Sequence, residues 1–313
     1  MTEHEVEFTS DNYTLAGTFV SPAESKPLPA VLMLPGSGQT NRDDNAQKLA
    51  INVFPQMAEA LSNLGFASLR YDKRGAGASQ GDYWRSGFTD RITDARGAVE
   101  WLRSQPNVDP RHIYVLGHSE GALVATSLAA GNTTLAGIIL LGGSSKTGEE
   151  TMLWQGQQIV AGLTGFSKWF VGHLHIDPLK KQRQQIERIK TSPEDTFRVQ
   201  MVQRINARWM REFFVYDPEK DFAKIHIPVL AITGSKDIQV DAADLERMKQ
   251  LTKGPFESHD VPDVTHMLRT DSGAPSIRAY KEQVTRPIDE RIMKYIQTWL
   301  REQAYGKNQQ TRR

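Results

Sequence analysis

A serine stands between two glycines in the pentapeptide GHSEG at 117–121, directly after the apolar run IYVL at 113–116. The following segment, 121–130, is predicted to be a helix, so the serine lies in a strand–turn–helix context. Such a turn strains the serine backbone so that its oxygen projects, and glycines avoid collisions with the adjacent strand and helix. A glycine-rich turn that contains a serine by chance would have a similar sequence. The context favours Ser119 as a nucleophile above the positive end of the new helix.

A serine hydroxyl is a poor nucleophile alone, so Ser119 needs a general base, and the base needs an orienting acid. Both must lie on loops at the carboxyl edge of the predicted sheet. Of the eight histidines, His266 follows a strand in such a loop and is predicted to be the base. The others precede or lie within strands, lie inside the Ser119 turn, or fall in the segment 144–216: His4, His112, His118, His173, His175, His226 and His259.

The orienting acid is predicted by the same criterion of position. Asp237 follows the predicted strand 228–233 at the carboxyl edge of the sheet. Asp260 and Asp263 flank the His266 loop and are the alternatives. The predicted order along the chain is therefore Ser119, Asp237 and His266.

The elements that must position these residues alternate between strands and helices. Uninterrupted apolar runs predict strands that are buried on both faces, and the helices between them predict parallel crossovers. An N-terminal hairpin over 6–19 precedes them. The sequence predicts strands at 30–34, 66–71, 113–116, 135–141, 228–233 and 256–261, and helices at 46–63, 88–105, 121–130, 242–251 and 287–301.

The alternation stops at 144–216, where no strand-like run is visible. Helices are expected around 153–163, 178–190 and 193–211, and a segment of this size is far longer than an ordinary loop. The third helix is predicted to begin with the cap Ser192 and Pro193 at its first position. Its apolar stripe has a spacing of four: Phe197, Met201, Ile205 and Trp209.

These elements predict one α/β core, made of 1–143 and 217–302, with a helical cap or lid over 144–216 inserted after the sixth strand. The polar tail 303–313 is predicted to be disordered. The cap carries a basic segment at 178–211, which a solvated helix face explains best, although an anionic substrate or acidic partner is the alternative. Its aromatic residues are expected to pack rather than bind substrate: Trp154, Trp169, Trp209, Phe213 and Phe214.

Composition excludes several classes of function. The 313 residues carry a net charge of +1 and no cysteine, which gives no bulk attraction to nucleic acid and excludes thiol chemistry and cysteine-bound metals. Glycine motifs at 75–77 and 142–147 lack the spacing of nucleotide loops, and no metal or cofactor is expected. The start has no secretory pattern, and no apolar run is long enough to span a membrane, so a cytoplasmic location is expected.

Four local motifs together resemble those of the α/β-hydrolases. They are LPGSG at 34–38, RYDKRGAGAS at 70–79, the Ser119 turn, and the loops of Asp237 and His266. They lie within 31–266 and leave out the inserted segment. The α/β-hydrolase fold that this resemblance implies has a mostly parallel sheet flanked by helices, with its triad in the order serine, acid, histidine. The segment GSGQTNRDDN at 36–45 is similar to the corresponding segment of a subgroup of carboxylesterases. Asn41 and Asp44 differ from the residues that are usual in that subgroup.

The resemblance also implies where a reaction oxyanion would be held. By family position, the donors are the backbone N–H groups of Ser37 and Glu120. Asp72 and Arg74 are interpreted as a structural ion pair or loop brace rather than catalytic groups.

The sequence therefore predicts a serine carboxylesterase that acts on small or medium acyl esters through an acyl-enzyme intermediate. Its only expected partner is a small-molecule ester, and the oligomeric state is open. A thioesterase or serine peptidase with the same triad is the alternative enzyme. A non-catalytic α/β-hydrolase-like binding protein is the alternative of another class.

Overall fold

The computed structural model describes residues 1–23, 26–46, 49–131, 134–163, 165, 173, 177–199 and 203–306. Its strands and helices are numbered here in chain order within those ranges. The strands are β1 Thr2–Ser10, β2 Tyr13–Ser21, β3 Leu28–Leu34, β4 Ala67–Tyr71, β5 Val108–His118, β6 Gly137–Leu141, β7 Thr196–Val199, β8 Gln203–Asn206, β9 Val229–Gly234 and β10 Phe256–Val261. The helices are α1 Val53–Asn63, α2 Phe88–Ser104, α3 Glu120–Gly131, α4 Gly148–Ala161, α5 Pro178–Thr191, α6 Ala207–Val215, α7 Pro218–Phe222, α8 Asp244–Leu251, α9 Tyr280–Gln283 and α10 Glu290–Tyr305.

Eight strands form the central sheet in the order β1-β2-β4-β3-β5-β6-β9-β10. The β1–β2 pair and the β2–β4 pair are antiparallel, and the other five pairings in this sheet are parallel. The carboxyl ends of β3, β5, β6, β9 and β10 therefore meet at one edge. The loops that carry Ser37, Ser119, Asp237 and His266 all leave the sheet at that edge.

The sheet is buried on both faces, which explains the uninterrupted apolar runs of its strands. In β3, Leu32 packs into the cluster that includes α2 and α3, whereas Val31 and Met33 pack into the cluster that includes α1 and α10. The predicted mostly parallel α/β sheet with flanking helices is confirmed.

Two predicted helices differ from the structure. The first was expected from residue 46, but α1 begins at Val53, after Asn52 in a left-handed conformation with φ of 50°. The helix expected over 193–211 is wrong in its first part, because β7 and β8 form an antiparallel hairpin there. Phe197 lies opposite Ile205 in that hairpin. A spacing of four is a multiple of the strand period of two, so the apolar stripe fits one face of a strand as well as one face of a helix.

The described part of the segment 144–216 therefore contains α4, α5 and α6 together with the β7–β8 hairpin. Two of its aromatic side chains, Phe213 and Phe214, are buried in the core, and Trp209 stacks on Phe213 with ring centroids 4.8 Å apart. The expectation that these aromatic residues pack is met at these positions. Trp169 and His175 lie outside the described residues.

The end of the chain also differs from its prediction. Residues 303–305, expected in a disordered tail, belong to α10, which ends at Tyr305, and 307–313 lie outside the described residues. In the part of the chain that the structure describes, no helix combines the length and apolar character needed to cross a bilayer.

Candidate active site

Ser119 lies in a strained turn between β5 and α3. Its φ of 55° is in the left-handed region, and its backbone N–H donates a 2.8 Å hydrogen bond to the carbonyl of Leu141. A Cβ at Gly117 would lie 2.1 Å from the carbonyl oxygen of Gly121, and a Cβ at Gly121 would lie 2.0 Å from that of Leu34. Only glycine fits at either position. Ser119 itself is half-buried, so the turn presents it to the space above the sheet edge.

The structure brings His266 and Asp237 together. His266 Nδ1 lies 2.7 Å from Asp237 Oδ2, and both side chains are buried. The other oxygen of Asp237 accepts hydrogen bonds from the backbone N–H groups of Gln239 and Val240, which fix the carboxylate. An ionised Asp237 is an acceptor only, so Nδ1 carries the proton and Nε2 of the neutral ring is left as the basic nitrogen.

The alternative acids do not contact His266 in this arrangement. Asp263 forms an ion pair of 2.8 Å with Lys236 and is exposed. Asp260 belongs to β10, and burial raises the pKa of its carboxyl above the ordinary value. Asp237 is therefore the acid that the geometry favours.

Ser119 and His266 lie at the same sheet edge, but among the described residues no hydrogen bond joins them directly. The two loops are linked through His118, the residue before the serine, whose Nε2 lies 3.0 Å from the backbone oxygen of His266. Serine–histidine contacts are commonly long in unliganded enzymes and tighten when substrate is bound.

The loop after β3 offers the second proposed oxyanion donor. Neither the Ser37 N–H nor the Glu120 N–H donates a hydrogen bond to another described residue. The carbonyl of Gly36, which shares a peptide plane with the Ser37 N–H, accepts hydrogen bonds from Lys73 Nζ and from Thr40 Oγ1 at 3.1 Å. Because the two groups of a trans peptide point in opposite directions, these donors orient the Ser37 N–H away from Lys73.

Lys73 is a buried cation beneath this loop. Its Nζ also contacts the Gly38 carbonyl at 3.3 Å and forms an ion pair of 3.3 Å with Glu120. Burial lowers the pKa of the Lys73 ammonium, and the Glu120 carboxylate opposes that effect. A buried ammonium that is paired in this way ties the loop after β3 to the first residue of α3.

The loop of His266 is fixed by an equally buried arginine. The Arg269 guanidinium donates to the carbonyls of Met267 and Ile51 at 2.7 and 2.6 Å, and to that of Arg286 at 3.1 Å. Burial lowers the pKa of Arg269 to about 10. The contacts connect the His266 loop to the segments before α1 and α10.

Sequence reasoning did not assign the roles of Lys73, His118, Asp44 and Arg269. The visible signals were a histidine next to the serine and charged residues within loops that the resemblance already singled out. Asp72 and Arg74 each form an ion pair that braces a loop, but they do not pair with each other. Asp72 pairs with Arg42 at 2.8 Å, and Arg74 pairs with Asp94 at 2.7 Å. Within the described ranges, no cluster of histidine and carboxylate side chains could hold a metal ion.

Comparison with known proteins identifies the family. Residues 50–273 match the family model described as serine aminopeptidase, S33 (Hydrolase_4). Esterase EstD from Thermotoga maritima is 26% identical over 288 residues, which cover 91% of this chain and 65% of that protein. The lysophosphatidylserine lipase ABHD12 from Danio rerio is 32% identical over 100 residues, which cover 32% of this chain and 23% of that protein. The chain thus spans less than two thirds of the length of these curated relatives.

Solved structures share the fold at low sequence identity. Est1E from Butyrivibrio proteoclasticus, solved with ferulic acid, is 18% identical with a TM-score of 0.64, covering 95% of this chain and 98% of that one. DcsB, solved with a substrate analogue, is 17% identical with a TM-score of 0.66, covering 97% of this chain and 100% of that one. The family match spans most of the chain, and the α/β-hydrolase fold agrees with it. The chain therefore belongs to the Hydrolase_4 (serine aminopeptidase, S33) family of α/β-hydrolases.

Proposed function

We propose that the protein is a carboxylesterase that cleaves small or medium acyl esters with a triad of Ser119, His266 and Asp237. The single observation that carries this proposal is the buried 2.7 Å hydrogen bond between His266 Nδ1 and Asp237 Oδ2. It lies at the sheet edge where Ser119 occupies a strained turn with φ of 55°. An oriented base and a projecting hydroxyl at one edge are what acyl transfer to serine requires.

The proposed reaction begins when Ser119 Oγ attacks the ester carbonyl carbon and His266 Nε2 takes the hydroxyl proton. Asp237 stabilises the resulting imidazolium. The carbonyl oxygen becomes an oxyanion that accepts hydrogen bonds from the N–H groups of Ser37 and Glu120. The intermediate then collapses, the alkoxide leaves with the proton from His266, and the acyl group remains on Ser119.

The second half of the reaction uses water. His266 takes a proton from the water as its oxygen attacks the acyl carbonyl, and the same two N–H groups hold the second oxyanion. Collapse breaks the bond to Ser119 Oγ, which recovers its proton from His266. The products are the carboxylic acid and the free enzyme, and no cofactor enters the balance.

The surroundings of Ser119 favour an ester over a peptide N-terminus. An aminopeptidase needs an unengaged carboxylate to hold the ammonium group of its substrate. The two carboxylates beside the Ser119 turn are each engaged by a basic side chain, Glu120 by Lys73 at 3.3 Å and Asp44 by His118 at 2.6 Å. A neutral ester makes no such demand.

The segment 144–216 is proposed to act as a cap over this site, with 1–143 and 217–302 as the core. Asn206 Nδ2 donates to the carbonyls of Tyr83 and Ser86, which lie between β4 and α2. Gln155 Nε2 in α4 donates to the carbonyl of Gln239 in the loop of Asp237 at 2.8 Å. These contacts hold both ends of the segment against loops that leave the carboxyl edge of the sheet.

Some of the basic side chains of this segment have local partners. Lys190 pairs with Glu149 and Glu187 at 3.1 and 3.0 Å, and Arg208 pairs with Glu212 at 3.0 Å. These ion pairs engage part of the positive charge on α5 and α6, whereas Lys180, Lys181 and Arg183 are exposed and form no ion pair among the described residues.

The experiment that tests the proposed function compares substrates of matched acyl groups. Purified protein is assayed with aryl esters of rising chain length, with the corresponding thioesters, and with amino-acid and peptide amides. The proposal expects the highest kcat/KM for an ester of short or medium chain. Preference for a thioester or for an amide would replace it by the corresponding alternative, and no turnover of any substrate would favour the binding protein.

A further inference from the structure

A continuous chain of buried hydrogen bonds connects the two loops that flank Ser119. The backbone N–H of Gly36 donates to Asp44 Oδ1 at 2.7 Å, and His118 Nδ1 lies 2.6 Å from Asp44 Oδ2. His118 Nε2 then lies 3.0 Å from the backbone oxygen of His266. The loop after β3 and the loop after β10 are thus joined through the residue that precedes the nucleophile.

Every side chain in this connection is withdrawn from solvent. Asp44 is 0% exposed, His118 is 1% exposed and His266 is 3% exposed. Asp44 also adopts a left-handed conformation with φ of 64°, which turns its carboxylate inward beneath Gly36. A buried carboxylate and a buried imidazole are stable only when both are fully hydrogen-bonded, and here both ring nitrogens and both carboxylate oxygens have partners.

The partners define the protonation of the His118 ring. The backbone oxygen of His266 can only accept, so His118 Nε2 carries a proton. The Asp44 carboxylate accepts at the other nitrogen, which places a second proton on Nδ1 and makes the ring an imidazolium. Burial by itself would lower the pKa of His118, but the charge and hydrogen bond of Asp44 and the His266 carbonyl raise it above the ordinary value.

Other charged groups surround this pair on several elements. Asp237 raises the pKa of His118, while Lys73 and Arg269 lie close enough to Asp44 to interact with its charge. The His266 ring faces the His118 ring with centroids 5.0 Å apart and planes tilted by 37°. Lys73 and Arg269 lie on the Asp44 side of the pair, and their positive charges attract that carboxylate.

We propose that His118 is a positioning residue. As an imidazolium that is hydrogen-bonded to Asp44, it links the loop after β3, which carries the oxyanion donor Ser37 (the oxyanion loop), to the loop after β10, which carries the base His266 (the base loop). The proposal rests on the proposed function, because those two loops matter together only in acyl transfer. The tie fixes the peptide of Gly36 at one end and the backbone of His266 at the other. An error of about 1 Å in such positions can cost about a hundredfold in rate.

The charge state is tested without any reference to catalysis. Nitrogen-15 NMR of histidine rings is recorded on the full chain from pH 6 to pH 9, with His118→Gln used to assign the His118 signals. We expect one ring to keep protons on both nitrogens at pH 7, and these signals to be absent from the variant. A neutral His118 ring at pH 7 would overturn the proposal, whether or not the protein hydrolyses esters.

The positioning role is tested by the variants His118→Gln, Asp44→Asn and the double variant. We expect each single variant to lower kcat by roughly tenfold to a hundredfold while KM changes by less than about threefold. The double variant should be no slower than the slower single variant, because both changes break the same tie. Unchanged kcat in either single variant, or losses that multiply in the double variant, would contradict the role.

The control variant is Asp43→Asn, which removes the neighbouring carboxylate that pairs with Arg70 at 2.9 Å. It should retain the wild-type kcat. Thermal unfolding and the ring signals of His266 are measured for each variant, so that loss of folding is separated from loss of position. If wild-type protein turns over no ester while His118 is an imidazolium, the proposed function fails and the structural tie stands.

Discussion

The imidazole of His266 and the carboxylate of Asp237 are joined by a buried hydrogen bond of 2.7 Å between Nδ1 and Oδ2. The two residues lie 29 positions apart, on loops after the adjacent parallel strands β9 and β10. Because the carboxyl ends of neighbouring parallel strands lie at the same edge of the sheet, the pairing of His266 with Asp237 follows from the topology and needs no long loop. The same topology places Ser119 and Ser37 at that edge.

Asp237→Asn tests the orienting acid. An amide can donate to Nδ1 and favour the wrong tautomer of His266, so kcat is expected to fall by about 10⁴-fold with little change in folding. Steady-state kinetics on the best ester measures the loss, and circular dichroism checks the fold. Asp263→Asn is the matched control, because Asp263 lies near His266 in sequence but pairs with Lys236. Equal loss in both variants would show that Asp237 has no special role.

Lys73→Met tests the orientation of the oxyanion loop. Without the ammonium, the Gly36 carbonyl loses its cationic donor and the Ser37 N–H is less firmly directed, so kcat should fall about tenfold or more. KM is expected to change by less than about threefold. Kinetics and thermal unfolding are measured together, since the change also leaves the buried Glu120 with only the 3.9 Å ion pair to Arg91.

A paired variant separates these two effects of Lys73. Lys73→Met combined with Glu120→Gln removes both charges of the pair, and kcat is expected to stay low. Stability is not expected to recover fully, because the buried Arg91 then loses the Glu120 carboxylate that lies 3.9 Å away. The exposed Lys190→Met is the control and should keep both kcat and stability near wild type. Full recovery of kcat in the double variant would mean that Lys73 acts only by neutralising Glu120.

Alanine substitutions at two glycines of α3 are expected to have opposite effects on the free energy of unfolding. Gly121→Ala places a Cβ 2.0 Å from the Leu34 carbonyl oxygen, so it should lower the free energy of unfolding by about 3 kcal/mol or more. Gly131→Ala at the end of the same helix meets no atom of the described residues within 4 Å and should raise it by about 0.4–1 kcal/mol. Denaturant unfolding measures both, and a tolerated Gly121→Ala would show that the turn can relax.

The surroundings of Asp289 indicate that the free energy of unfolding depends on pH. Its carboxylate accepts from the Arg291 N–H at the start of α10 and pairs with the Arg291 guanidinium at 2.8 Å. The hydrogen bond and charge of Arg291 lower the pKa of Asp289 to about 2. A lowered pKa in the folded state stabilises the fold above the unfolded value near 4, and this stabilisation is lost as pH falls towards 2.

Asp289→Asn is the corresponding variant. It should lower the free energy of unfolding at pH 7 by about 1 kcal/mol, since solvent screens the partly exposed Arg291. Urea unfolding at several pH values should show the difference constant down to about pH 5 and absent near pH 2. The exposed Glu290→Gln serves as control. A difference that grows towards acid pH would have the wrong sign for this account.

The sequence predicted the sheet because apolar runs such as 30–34 have one explanation, strands covered on both faces. The β7–β8 hairpin could not be predicted from Phe197 and Ile205, since their spacing suits a helix and a strand alike. The hydrogen bond between His118 and Asp44 joins residues 74 positions apart. The identities of two residues in the sequence do not indicate such a long-range contact. The positions of Ser119, Asp237 and His266 were predictable because each follows a recognisable strand.

The most direct test of the central claim is covalent labelling of the nucleophile. Intact protein is treated with a fluorophosphonate probe, and the modified peptide is identified by mass spectrometry in wild type, Ser119→Ala and, as a control for buried serines, Ser144→Ala. The account predicts stoichiometric labelling on Ser119 in wild type and Ser144→Ala, and none in Ser119→Ala. Labelling that persists in Ser119→Ala, or no labelling of folded wild-type protein, would contradict it.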